Sequence, residues 1–267
     1  MATAFTWLAT FIVLGLLTSI LWQVVGQGIK GFSLLLFTQD TPGPGSAGGL
    51  RNAIAGSLIM VIGATFIATP LGVLTGIFIV EYGKNNRWAQ AVRSANDLLL
   101  STPSIVAGLV VYTLIVAPLH HFAAWAGSIA LSMLAIPVIV RATDNMLSLV
   151  PQALREAAIA LGAPYWKMIV YISLRSARTG IFTGIILAVA RITGETAPLL
   201  FTALNNQFFS LDINQPIANL PVVIFQFAMS PFPEWQQLAW SGALLITALV
   251  LGLSLLTRAL LRLTERL

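Results

Sequence analysis

The chain contains no cysteine, so disulfides, thiolate metal sites and cysteine nucleophiles are excluded from the start. It is also poor in charge: Asp, Glu, Lys and Arg make up 9% of its 267 residues, against roughly 25% in a soluble domain. Only two histidines are present, adjacent at His120 and His121 in a short hairpin with no carboxylate nearby in sequence, a weak basis for a metal site. No Gly-x-x-x-x-Gly-Lys-Ser/Thr loop appears, so a nucleotide site of that type is absent. Nucleophile motifs and a His-Glu-x-x-His zinc helix are missing too, leaving no catalytic residue to propose. What remains is 57% hydrophobic with a mean hydropathy of +0.88. These values describe an integral membrane protein of the all-α class.

Spans of about 20 apolar residues are needed to cross a bilayer. The sequence offers six: Phe5–Val25, Ala53–Val80, Leu98–Pro118, Phe122–Val140, Ile181–Ala203 and Leu238–Thr257. No signal peptide is evident, because residues 1–20 lack a basic leading region and the apolar run is long enough to remain as a span. The net charge of +5 could suggest nucleic acid, but its placement points to topology instead. Lys84, Arg87 and Arg93 fall in one loop, five basic residues in Arg141–Gly180, and Arg258, Arg262 and Arg266 in the tail. All three segments share one side of a six-span layout; the other side holds only Lys30 and Arg51. The positive-inside rule puts the basic side, and with it both termini, in the cytoplasm. On the outer side, Asn205–Gln237 has neither Lys nor Arg, and Phe232, Trp235 and Trp240 read as an interfacial aromatic belt.

Two places stand out. Pro151–Gly162 reads as a short helix in the largest basic loop, with Pro151 at its start, Gly162 just past its end, and Pro164 blocking continuation. Leu154, Ala157, Ala158 and Leu161 give it an apolar face, and Arg155 and Glu156 offer charge at its rim. The second place is Arg191 and Glu195, near the middle of the fifth span and four residues apart, hence on one helical face. Charged groups at that depth usually face a bundle interior or an aqueous path, and an arginine there favours an anion. The bland alternative is a neutralised pair that fixes helix packing. Gly72-x-x-x-Gly76 and Gly180-x-x-x-Gly184 match the small-xxx-small pattern of close helix approach.

Glu156-Ala-Ala-Ile-Ala-Leu-Gly162, nine residues, and then Ile172-Ser-Leu174 resembles the cytoplasmic Glu-Ala-Ala loop of ABC importer permeases. Arg175 stands where that pattern has proline, which implies an altered approach to span five. Thr69-Pro-Leu-Gly72, Glu81-Tyr-Gly83, Thr102-Pro-Ser-Ile-Val106, Arg191-Ile-Thr-Gly-Glu-Thr-Ala-Pro198 and Glu234–Trp240 are similar to the phosphate (PstA) branch of that family. The resemblance covers about residues 50–260, which would form the permease domain of a type I importer (MetI-like) fold. Residues 1–49, a first span with a Gly/Pro-rich connector, and a basic tail at 261–267 flank it.

The resemblance implies a division of labour: a second permease of the PstC type, a PstB-type dimer that binds ATP, and an outer PstS-type phosphate-binding protein. This chain would bind no cofactor itself and would be no enzyme. Arg155, Glu156, Ala157, Ala158 and Gly162 would couple it to the ATPase, and Arg191 and Glu195 would line or gate the phosphate path in the inner membrane. Another oxyanion as cargo, or a passive channel without an ATPase, stand as alternatives.

Overall fold

A computed structural model describes residues 2–83 and 86–264. Lys84 and Arg266, both counted above among the basic residues, lie outside them, as do residues 265–267 of the expected basic tail. All regular structure among the described residues is helical. The main helices are α1 (Ala2–Gly28), α2 (Arg51–Tyr82), α3 (Arg87–Ser101), α4 (Ser104–Leu119), α5 (Ala124–Ser148), α6 (Gln152–Ala160), α7 (Tyr165–Thr193), α8 (Ala197–Thr202), α9 (Leu220–Ala228) and α10 (Pro233–Thr264), with short helical turns at Ile29–Gly31 and Leu35–Thr38 between α1 and α2.

α1, α2, α5, α7 and α10 are each long and apolar enough to span a membrane. α3 and α4 form a bent pair at 104°, broken at Thr102–Pro103. Proline disfavours helical geometry in the residue before it, and Thr102 is extended, with ψ of 131°. The expected third span, Leu98–Pro118, therefore starts too early: Leu98–Ser101 belong to α3. α2 ends and α5 begins at opposite ends of the bundle, so α4 carries the chain across and completes six crossings. The pair of ends bearing the loops 83–86 and 149–164 is called the basic end here, and the opposite one the far end.

α5 is the central helix. α2 runs parallel to it on one side, Gly72 against Ile139 and Gly76 against Thr143. α7 runs antiparallel on another, Gly180 against Met146 and Gly184 against Ala142. Both small-xxx-small pairs thus do what their spacing predicts: they let backbones approach closely where side chains would hold them apart. Met60, Ala64, Ala68, Leu131, Ala135, Ile139, Ala188 and Ile192 fill the space between these three helices.

At the far end, backbone irregularity is closed by side-chain amides. Asn52 is buried; its Nδ2 donates to Thr41 Oγ1 (2.8 Å) and to the carbonyls of Asn206 and Gln207 (3.2 and 3.1 Å). Asn219 caps α9 through Val222 N–H (3.0 Å) and donates to the carbonyl of Leu204 (3.0 Å). The connector before α2 is thereby stitched to the segment before α9. In the outer segment α9 packs inward: Leu220, Val223 and Phe227 are buried in a cluster with α10, and Val222 is buried in the central core around α5.

The basic end is equally specific. Arg93 makes a two-pronged contact with Asp144 (3.1 and 3.0 Å), and Asn96 donates to the carbonyl of Pro137 (3.3 Å), pinning α3 to α5. The forty-residue loop expected between spans is shorter than the sequence suggests. α5 continues to Ser148 and α7 already begins at Tyr165, so only 149–164 lies between them. α7 passes through Arg175 uninterrupted, two residues after a wide i→i+5 turn at Ile169–Ser173.

Candidate coupling helix and translocation face

α6 forms where its end signals put it. Pro151 precedes the first turn with φ of −58°, and Gly162 follows the last with φ of +81°, a left-handed conformation that glycine adopts without cost. Ala163 N–H closes the end on the carbonyl of Ala158 (3.1 Å), and Pro164 turns the chain into α7. Leu154, Glu156, Ala157, Ile159 and Gly162 are exposed, Ala158 is half-buried, and Leu161 is 88% exposed. A helix with this many apolar side chains turned to solvent has an unfilled contact surface.

Arg155 departs from the sequence reading. It was expected at a docking rim, yet its side chain is only 8% exposed and points into the chain. Nε and Nη2 donate to Glu81 Oε1 (3.1 and 3.0 Å), Nη1 to the carbonyl of Val150 (2.6 Å), and Nη2 to the carbonyl of Leu147 (2.7 Å). One residue along a helix is a rotation of about 100°, enough to turn Arg155 inward and leave Glu156 outside. Glu156 has no intrachain side-chain partner among the described residues.

Arg191 and Glu195 are rearranged in a different way. The fifth span was expected to run Ile181–Ala203 as one helix. Instead α7 stops at Thr193, Gly194 to Thr196 are non-helical, and α8 restarts at Ala197. Glu195 is therefore not one turn above Arg191, and among the described residues the two form no ion pair. The depth, by contrast, agrees. Seven residues on from Gly184 and seven back from Ala142, Arg191 stands level with Ala135, midway along the 25-residue α5. A helix thus ends in the middle of the bundle, with an exposed arginine in its last turn and a half-buried glutamate at the break.

A groove of about 550 Å³ runs between α2, α7 and α10, lined by Leu58, Ile62, Val189, Leu245, Leu249 and similar side chains. It is apolar and unsuited to an anion. Val189 and Arg191 are two residues apart, so they project from nearly opposite faces of α7; Arg191 faces away from the groove. His120 and His121 sit in the far-end hairpin, and among the described residues no group of His, Asp or Glu could hold a metal. Sequence reasoning gave no role to Glu81 or Tyr165; the one available signal was a lone acid at the end of an apolar span.

The family described as "Binding-protein-dependent transport system inner membrane component" matches residues 68–267. The chain is 59% identical over 242 residues to the phosphate transport system permease protein PstA of Yersinia pestis, covering 90% of this chain and 82% of that protein. It is 57% identical to the PstA of Haemophilus influenzae (90% and 85% covered) and 53% identical to that of Pasteurella multocida (95% and 90%). Among solved structures, the inward-facing MetNI methionine ABC transporter gives a TM-score of 0.62 at 18% identity, covering 79% of this chain and 92% of that one. At such identity the likeness speaks for the fold alone, a type I (MetI-like) importer permease. The chain belongs to the binding-protein-dependent transport system inner membrane component family, in its PstA branch.

Proposed function

We propose that this chain is the membrane permease subunit of an ATP-driven importer of inorganic phosphate. The observation that carries the reading is its identity of more than half, over most of both chains, to permeases of phosphate transport systems. Drive comes from a separate ATP-binding subunit, a PstB-like dimer, since this chain has no nucleotide loop of its own. α6 is the part that meets it. Leu154, Ala157, Ala158 and Leu161 seat in a cleft, Glu156 makes a charge-assisted contact at the rim, and Gly162 sets the angle at which the helix ends.

The basic end faces the cytoplasm, with both termini on that side, because basic loops are retained there. The far end receives a PstS-like phosphate-binding protein, and Asn205–Gln237 supplies part of its seat. A second, PstC-like permease completes the path against the face of α7 that carries Arg191. An arginine at mid-depth with no ion-pair partner among the described residues draws an anion inward, and Glu195 at the helix break gates its release. Access alternates only if the ATPase binds the two permease states with different affinity; α6 is where that difference enters.

The test is uptake into liposomes carrying this chain with a PstC-type permease, a PstB-type ATPase and a PstS-type protein. Phosphate accumulation that needs ATP is expected, and excess sulfate or molybdate should not suppress it. Uptake that proceeds without ATP, or that sulfate abolishes, would sink the reading.

A further inference from the structure

Glu81 and Arg155 are the most deeply buried ion pair among the described residues, with side chains 1% and 8% exposed. Nothing in the transport reading uses Glu81. The place of the pair in the fold is unusual. Arg155 belongs to α6, the helix proposed to meet the ATPase, whereas Glu81 lies in the wide i→i+5 turn Phe78–Tyr82 that ends α2. The guanidinium also takes the carbonyls of Leu147 and Val150, at and just past the end of α5. Carbonyls there lack intrahelical donors, and a cation is favourable at a helix C-terminus. The backbone carbonyl of Glu81 accepts from the hydroxyl of Tyr165 (2.6 Å), the first residue of α7, whose ring meets Tyr82 edge-on at 5.5 Å. One set of contacts therefore gathers α6 and the inner ends of three spans.

Few buried side chains fix α6. Its other side chains are exposed, apart from half-buried Ala158, and short non-helical links join it to α5 and α7. Beside the pair lies an open cavity of about 560 Å³, lined in part by Gly83, Gln90, Arg93, Ser148 and Gln152. Dense packing is thus not what holds the helix; directed polar contacts are. Arg155 supplies them with a planar, pre-organised group, so its position transmits to Glu81 with little slack. The turns at either side of the node, Phe78–Tyr82 and Ile169–Ser173, are wide turns of the kind that gather at functional positions in helices.

We propose that Glu81, Arg155 and Tyr165 form a rigid joint that locks the ATPase-docking helix to the inner ends of α2, α5 and α7, so that displacement of α6 becomes displacement of those spans. The inference rests on the transport reading above. All three are positioning residues: they touch neither phosphate nor ATP. A mere fold staple would lower assembly, ATP hydrolysis and transport together. A joint, once loosened, lets ATP be hydrolysed while less phosphate moves per turnover.

The test uses the full complex in liposomes, with Glu81→Gln, Arg155→Lys and Tyr165→Phe. Gln keeps an acceptor oxygen at position 81, and Phe removes only a hydroxyl. ATP hydrolysis and complex yield are expected within about twofold of the parent, while phosphate moved per ATP falls about tenfold in Glu81→Gln and about threefold in Tyr165→Phe, the range seen when connecting elements are altered. An unchanged ratio, or transport and hydrolysis falling in step, overturns the joint; if Glu81→Gln fails to assemble, Tyr165→Phe decides alone. A second arm is independent of cargo. Spin labels at Leu161→Cys, immediately past the end of α6, and Trp88→Cys on α3 should give a narrow distance distribution that broadens in Glu81→Gln; a distribution that stays narrow also overturns the joint. Should the parent complex take up no phosphate, the transport reading fails, and the labels still judge the joint.

Discussion

An arginine exposed at mid-depth in a bilayer protein is expensive, about 2.5–3.5 kcal/mol on insertion scales. Among the described residues Arg191 has no acidic partner, and in the proposed path a neighbouring subunit or a passing anion would offset that cost. Removing the charge then removes the attraction and not the fold. Arg191→Gln should cut phosphate uptake about tenfold or more, since a hydrogen bond to a charged group contributes about 1.5–3 kcal/mol. Co-purification of the other subunits should be unchanged. Normal uptake by the variant would make Arg191 a packing residue. Arg155 shows the other fate of an arginine. Its position in a helix of the largest basic loop resembles that of any rim residue, and only the burial of Glu81 beneath it reveals an internal role. Adjacent charges such as Arg155 and Glu156 cannot be sorted into inside and outside by spacing alone when both neighbour the same apolar stripe.

The elements respond to substitutions in ways their backbones dictate. Gly162 holds φ of +81°, which proline cannot reach. Gly162→Pro should therefore displace the end of α6 and, like Glu156→Lys, reduce capture of the ATPase subunit in a pull-down; full capture by both would remove α6 as the contact. Gly72 lies directly against Ile139, so Gly72→Val forces a branched side chain between α2 and α5. Overpacking of this kind costs about 1–3 kcal/mol, and the melting temperature in detergent should fall accordingly. α6 was legible in the sequence because Pro151, Gly162 and Pro164 are local signals that tertiary contacts do not override. The break in the fifth span was not, because Ile181–Ala203 is hydrophobic enough overall to pass as one span despite Arg191 and Glu195, and hydropathy does not register a helix end. Gly194 and Pro198 marked the place without revealing that the helix stops there. Likewise the apolar run across Pro103 merged Leu98–Ser101 with the next helix.

For the molecule as a whole, up to six helical crossings followed from composition, because the bilayer imposes length; the direction in which they run is the expectation that the positive-inside rule gives. The inward joint and the amide stitching around Asn52 did not, since each joins residues from 74 to 155 positions apart. The absence of cysteine makes topology directly testable. Leu161→Cys should react with a membrane-impermeant maleimide only from the cytoplasmic side, and Leu211→Cys only from the outside; labelling on the reverse sides would invert the orientation.

α1 carries one further consequence, for the order of assembly. None of its most apolar stretch is buried, and its contacts are concentrated where Gly28 seats against Trp240 and Leu244 and where Gln237 Nε2 donates to the carbonyl of Gln27, 210 residues away. At a synthesis rate of about 5–20 residues per second, that partner emerges about 10–40 s after α1. During this interval α1 must stand alone in the lipid. Its largely apolar surface makes waiting harmless, and α10, rather than any earlier neighbour, gives α1 its seat.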